Sequence, residues 1–402
     1  MSAQFAPIPA GATDGETGSR FDLATATEIR FGAGRAHELP DLVQALGVVR
    51  VAVVTGANPA RAEPLCQRLR AAGARVTVVA VPGEPSVDLI GESAGRLRAA
   101  DCEAVIGYGG GSALDAAKAL AALTPSGTDP LEHLEVIGAG RPLAARPLPC
   151  IAVPTTAGTG SEVTRNSVLS HHGVKASLRS PLMLPRVAVV DPDLLAGLPA
   201  ATIAASGSDA LTQLIEPYLS TRANPFTDAL AREGIQRSAR ALRRAHEQGL
   251  DDPKDREDLA LASLFGGLCL ANSGLGAVHG FAAVLGARYD APHGAVCGAL
   301  ASTVLATNLK ALRERAPRAE ALARIEEIAG LLTGDPAASA DQAPVWLADQ
   351  QSALGVPGLA AYGVRAEDVD GLVAQAGQAS SMKANPLELT HDELRGIILG
   401  SL

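Results

Sequence analysis

Aromatic side chains are scarce. One Trp, four Tyr and six Phe make up 3% of 402 residues, too few to build stacking platforms for single-stranded nucleic acid. Basic side chains are outnumbered, with 34 Lys+Arg against 43 Asp+Glu and a formal net charge of -9. The chain therefore lacks the positive stripe that a nucleic acid or an anionic membrane demands. The five cysteines, Cys66, Cys102, Cys150, Cys269 and Cys297, are odd in number, widely spaced and without a CxxC pair. That argues against a zinc ribbon or a disulfide framework and for reduced, buried thiols in a cytoplasmic protein. Residues 1–25 hold neither a basic n-region nor a long apolar run, and read as a flexible leader, not a secretion signal.

Charge is missing altogether from residues 259–287, a stretch long enough to span a bilayer. Asn272, Ser273 and His279 interrupt it, together with Gly266, Gly267, Gly274, Gly276, Gly280 and Gly286. A lipid-facing helix would carry Leu and Ile at those places, so closely packed helices inside a soluble bundle fit better. Apolar residues are plentiful, at 47% hydrophobic against 19% charged. With 402 residues the chain suffices for a full core and for two domains or one large one.

Residues 50–56, 75–81, 104–108, 150–154 and 187–191 are near-continuous runs of Val, Ile and Ala, as in parallel strands buried on both faces. Helical stretches at 59–72 and 87–100 separate them, and this alternation predicts a Rossmann-like α/β domain over residues 26–195. Beyond Pro192 the strand signal stops. Residues 202–220, 225–247, 256–272, 277–287, 296–309 and 319–332 read as helices, with 311–332 an exposed amphipathic one. Residues 196–402 are thus expected to form an all-α domain.

Two loops after strands carry chemistry. Gly109, Gly110, Gly111 and Ser112 open an Ala-rich helix, where free N–H groups and the positive dipole end suit a pyrophosphate. Ser112 and Asp115 also fit a helix-capping pattern. The second loop, PTTAGTGSE, sets Thr155, Thr156, Thr159 and Ser161 at another strand end, where ligands of parallel sheets collect.

These blocks (GGGSALDAAK and IAVPTTAGTGSEVT), with GSDALTQLIEPYLS, AVHGFAAVLGARYDAPHG and SSMKANPLELT, resemble the iron-containing (group III) alcohol dehydrogenase family in order and spacing. The resemblance runs from about Arg30 to the C-terminal segment. It implies the dehydroquinate synthase-like fold of that family, an NAD or NADP site in the first domain, and Fe²⁺ or Zn²⁺ in the cleft against the helical domain. Carried over by position, the glycine turn binds pyrophosphate, while Thr155, Thr156, Thr159, Ser161 and Lys175 surround the nicotinamide half, with Asp115 nearby. Gly56 stands where many NAD-using relatives place an Asp that repels a 2′-phosphate, so NADP(H) is expected to be tolerated.

The metal ligands implied by the resemblance are Asp209, Gln213, His279 and His293. From the residues alone, Asp209 and Gln213 share a helix face. His279 lies in the charge-free stretch, where a lone His is more often a hydrogen-bonded core residue than a ligand. Gln213 departs from the family pattern, which has His there. An amide oxygen is a neutral, weaker donor than imidazole, so weak metal binding is expected. Ala283 occupies a place where many members carry a further His, removing a proton-relay group.

The expected activity is NAD(P)-dependent interconversion of a small alcohol and its aldehyde or ketone, with no catalytic side chain assigned beyond the ligands. A homodimer or higher homo-oligomer is expected, with no nucleic-acid or membrane partner. A metal-independent reductase like the maleylacetate reductases stays open. So does a dehydroquinate-synthase-like lyase, although the cleft segments are almost free of the Lys and Arg it would need.

Overall fold

The computed structural model describes residues 21–26 and 28–402. Most of the expected leader lies outside the described residues. Its end is not free, because Ala24 exchanges two hydrogen bonds with the Asn272 side chain, at 2.6 and 2.9 Å.

Eight strands and four helices form the first half: β1 Glu28–Phe31, α1 Leu39–Ala45, β2 Arg50–Thr55, α2 Glu63–Ala71, β3 Arg75–Ala80, α3 Val87–Ala99, β4 Ala104–Gly109, α4 Gly111–Leu123, β5 Cys150–Pro154, β6 Asn166–His171, β7 Val174–Arg179 and β8 Val187–Val190. Six strands make a parallel sheet in the order β1-β8-β5-β4-β2-β3. Val51, Val53, Ile106 and Ile151 pack on Leu39, Leu65 and Leu69 on one face. Ala52, Val54 and Val105 pack on Ile90, Leu97 and Leu120 on the other. Both faces are covered, which is why these strands read as unbroken apolar runs.

The antiparallel hairpin β6–β7 was not anticipated. Its strands, NSVLSH and VKASLR, are half polar and partly exposed, so they lack the apolar run that marks a doubly buried strand.

The second half contains α5 Ala200–Leu219, α6 Pro225–Gln248, α7 Pro253–Ser273, α8 Ala277–Tyr289, α9 His293–Arg315, α10 Glu320–Thr333, α11 Gln342–Ala353, α12 Val369–Ala376 and α13 His391–Gly400. No strand follows β8 among the described residues. The charge-free stretch folds as α7 and α8, bent by 101° at their junction, with most of its apolar side chains in the core. Helix α9 is long and apolar enough to cross a membrane, but 72% of its apolar window is buried inside the molecule. The expected single helix over 311–332 is corrected: α9 ends at Arg315 and α10 begins at Glu320, separated by a segment with Pro317.

Helix α5 is central, packed by α6, α7 and α9. One apolar cluster joins Val163, in the turn before β6, and the sheet residues Ala188 and Val190 to Leu264, Leu268 and Phe281 of the helices, so the two halves share a core.

Candidate metal and cofactor site

The anticipated cofactor segments leave neighbouring strands. Gly56 follows β2, the glycine turn ends β4, and Thr155 follows β5, and β4 lies between β2 and β5. The glycines are needed for contact. A Cβ on Gly109 would stand 2.6 Å from the Ala113 Cβ and 3.4 Å from the Gly56 nitrogen. One on Gly110 would meet Thr156 Oγ1 at 3.1 Å, and one on Gly111 would meet Thr159 Cγ2 at 2.6 Å. Gly56, the glycine turn and the threonine loop therefore form one continuous surface at the C-terminal ends of the strands, with the N-terminus of the thirteen-residue α4 inside it. Anions bind such helix starts.

The capping role of Ser112 is corrected. Gly110 is the N-cap of α4 and no side chain caps it. Asp115 instead braces the two loops: it accepts from Ser161 Oγ at 2.5 Å and the Val168 N–H at 2.8 Å, and pairs with Lys118 Nζ at 3.1 Å. Lys118 is fully buried and also donates to the Ser161 carbonyl and Thr164 Oγ1. The sequence offered one sign of it, the Asp–Lys spacing of three. Lys175, on β7, pairs with Glu84 at 2.5 Å, and its Nζ lies 3.1 Å from where a Cβ on Gly286 of α8 would stand.

Asp209, His279 and His293 come from α5, α8 and α9 and converge. His279 Nε2 is 3.2 Å and His293 Nε2 3.7 Å from Asp209 Oδ1. A fourth side chain joins them: ligand atoms of Asp209, His279, His293 and Cys297 all lie within 4.8 Å of one another. Gln213 is next to this group on α5. It lies one turn after Asp209, and its buried Oε1 has no partner among the described residues.

Glu216 also escaped the sequence reading. Its Oε2 accepts from His279 Nδ1 at 2.6 Å and its Oε1 accepts the Val278 N–H at 2.7 Å. The signal was available, because Asp209, Gln213 and Glu216 recur at i, i+4 and i+7 on a buried helix.

Burial would lower the proton affinity of His279, but Cys297, Asp209 and Glu216 outweigh it, and the pKa is raised well above its usual value. His293 is raised too: burial opposes the shift, and Cys297 and Asp209 drive it. Burial would raise the Asp209 carboxyl, yet His293 and His279 hold it below its usual value. The pocket thus attracts positive charge at the point between Asp209 and the two imidazoles. Two imidazoles, a carboxylate and a thiol, with a second carboxylate orienting one imidazole from behind, fit a divalent cation.

Comparison with known proteins agrees along most of the chain. The iron-containing alcohol dehydrogenase profile matches residues 26–192, and that of the Fe-containing alcohol dehydrogenase family C-terminal region matches 203–402. The 1,3-propanediol dehydrogenase of Klebsiella pneumoniae is 34% identical over 387 residues, 94% of this chain and 97% of that one. The NAD-dependent methanol dehydrogenase of Bacillus methanolicus is 32% identical over 381 residues, 92% and 97% of the two chains. A crystal structure of a 1,3-propanediol oxidoreductase superposes with a TM-score of 0.88 at 30% identity, covering 96% of this chain and 100% of that one.

Proposed function

The chain belongs to the iron-containing alcohol dehydrogenase family, and from that premise we propose that it uses NAD(P) and a divalent cation to interconvert a small alcohol and its aldehyde or ketone. The alcohol–carbonyl chemistry is that of its relatives. The observation that carries the cation and its place is the convergence of Asp209, His279 and His293 from three helices. When bound, the cation supplies positive charge at the substrate oxygen and the nicotinamide supplies or accepts hydride.

The residues of the chain do the rest. The glycine turn offers N–H groups to a pyrophosphate, and Thr156 and Thr159 pack against it. Asp115 and Lys118 hold the threonine loop in place. Glu216 keeps the His279 Nδ1–H occupied and so points Nε2 at Asp209. With Ala at position 283, proton transfer runs through water or a cofactor hydroxyl. The free, buried cysteines support a reducing, cytoplasmic setting.

NADP(H) tolerance is part of the proposal. A Cβ on Gly56 would meet nothing within 4 Å, and Arg61 is exposed and in no ion pair among the described residues. Position 56 itself thus offers no carboxylate to repel a 2′-phosphate, and Arg61 five residues on supplies a nearby cation in sequence. The test is turnover of small aldehydes with NADH and NADPH, with and without chelator, in wild type and Gly56→Asp. Chelator should abolish activity, and Gly56→Asp should lower kcat/KM for NADPH about tenfold or more relative to NADH. Full activity after complete metal removal would favour the metal-independent reductase. A strong NADH preference unaltered by Gly56→Asp would refute the role of that position.

A further inference from the structure

Cys297 lies four residues after His293 on α9, so the two side chains share one helix face. It is fully buried. Cys66, Cys102, Cys150 and Cys269 are free and buried too, but among the described residues Cys297 is the cysteine that joins a group of metal-ligating side chains.

The spacing suits coordination. Bonds of roughly 2.0–2.3 Å in a tetrahedral site put donor atoms about 3.3–3.6 Å apart. Here Asp209 Oδ1 is 3.2 Å from His279 Nε2 and 3.7 Å from His293 Nε2, and Cys297 Sγ is 3.8 Å from His279 Nε2. Small shifts would therefore bring all four onto one ion.

The fold makes room for this approach. A Cβ on Gly294 would stand 2.1 Å from the Ala205 carbonyl and 3.2 Å from the Asp209 Cβ, and one on Gly298 would be 3.0 Å from the Ser208 Cβ. These two glycines flank Cys297 and let the His293–Cys297 face of α9 press onto the Asp209 face of α5.

An independent sign comes from Gln213. It is buried, lies one turn after Asp209 on α5, and leaves Oε1 without a partner among the described residues. Where a third imidazole would serve, the chain offers a neutral amide. Asp209 is then the only anionic donor in the group, because Glu216 reaches the ion only through His279, and a thiolate would add a second anion in direct contact with it.

We propose that Cys297 is a metal ligand, its thiolate completing with Asp209, His279 and His293 a four-donor site for a borderline-soft divalent cation such as Zn²⁺. The inference rests on the reading that a cation binds at Asp209, His279 and His293. On binding, the Cys297 S–H bond breaks, its proton passes to solvent, and the sulfur lone pair forms the bond to the cation. The thiolate favours Zn²⁺ over harder ions. Substrate oxygen would then enter as a fifth ligand, an expansion zinc sites permit.

Co²⁺ loaded into the full-length protein tests this by absorption. Thiolate ligation gives an intense sulfur-to-cobalt charge-transfer band in the near ultraviolet, and nitrogen and oxygen ligands alone do not. Wild type should show the band. Cys297→Ser should lose it, keep the weaker visible bands, and yield Co²⁺ to a competing chelator about 10–100-fold more readily. Cys269→Ser should retain it. Visible bands without the charge-transfer band in wild type, or a band that survives Cys297→Ser, would overturn the proposal and leave the metal site standing. Failure of wild type to bind Co²⁺ at all would remove both. Should Cys297→Ser not fold, X-ray absorption of the wild-type protein decides, since a sulfur neighbour at about 2.3 Å must be present.

Discussion

Glu216 governs the orientation of His279. An imidazole that gives its Nδ1–H to a buried carboxylate has one nitrogen left for a cation, and that nitrogen faces Asp209. Gln at this position keeps one acceptor oxygen and turns the other into an NH2 donor. It cannot accept from both the His279 Nδ1–H and the Val278 N–H, and without the charge the imidazole becomes a poorer donor. Glu216→Gln is expected to weaken metal retention about 10–100-fold while the protein stays folded; chelator competition followed by metal analysis measures it. An unchanged affinity would reduce Glu216 to a packing residue.

Residue chemistry was only partly legible in the sequence. Asp209 and the two histidines were reached through the resemblance to the family, since from the residues alone His279 reads as a hydrogen-bonded core histidine. Glu216 was missed although it continues the Asp209–Gln213 stripe by one turn. Cys297 was missed because the cysteines were weighed against one another for pairing, and not against the histidine one turn away. Both signals were helical spacings, i to i+3 or i+4, and both needed the helix boundaries before they meant anything.

At the scale of elements, strands with continuous apolar runs announced themselves, the edge strand β3 included, and the short or half-polar ones did not. Strands β2, β4, β5 and β8 have nearly every residue in the core. Strand β1 has four residues, none fully buried, and the β6–β7 hairpin is half polar. Short strands with one wet face offer too few apolar residues to separate them from loops. Glycine positions were equally opaque, since a sequence shows that glycine is there and not which neighbour requires it.

Gly294 is such a position. It has no unusual backbone demand, yet its missing side chain lets α9 meet α5 at the Ala205 carbonyl. Gly294→Ala should force the helices apart beside His293, costing about 1–3 kcal/mol as overpacking does and loosening the cation site. Denaturant unfolding and metal retention should both fall. A variant with native stability and native affinity would mean that the two helices can slide without cost.

For the whole molecule, the joint between the sheet half and the helical half is where function and stability meet. Gly160 and Gly267 pack backbone to backbone, and a Cβ on either would come within 2.6 Å of the other. The threonine loop is thereby pinned to α7. Next to Gly160 stands Glu162, fully buried, with the Lys118 ammonium bonded to its neighbours Ser161 and Thr164. Burial pushes the Glu162 carboxyl from 4.5 up to about 7, more than Lys118 offsets.

The sign of the consequence follows from linkage. The folded chain holds this proton up to about pH 7, whereas an unfolded Glu releases it near 4.5, so the contribution is fully present below the unfolded value. It is lost as pH rises through the folded one, by about 1.4 kcal/mol per unit. Glu162→Gln carries a permanently neutral isostere and should remove this dependence. Urea unfolding at pH 5 and pH 7.5 should find the variant gaining on wild type as pH rises and more stable at the higher pH. Parallel pH profiles for the two proteins would show that the carboxylate is accommodated as an ion, with Lys118 as its partner, and that the joint is indifferent to its charge.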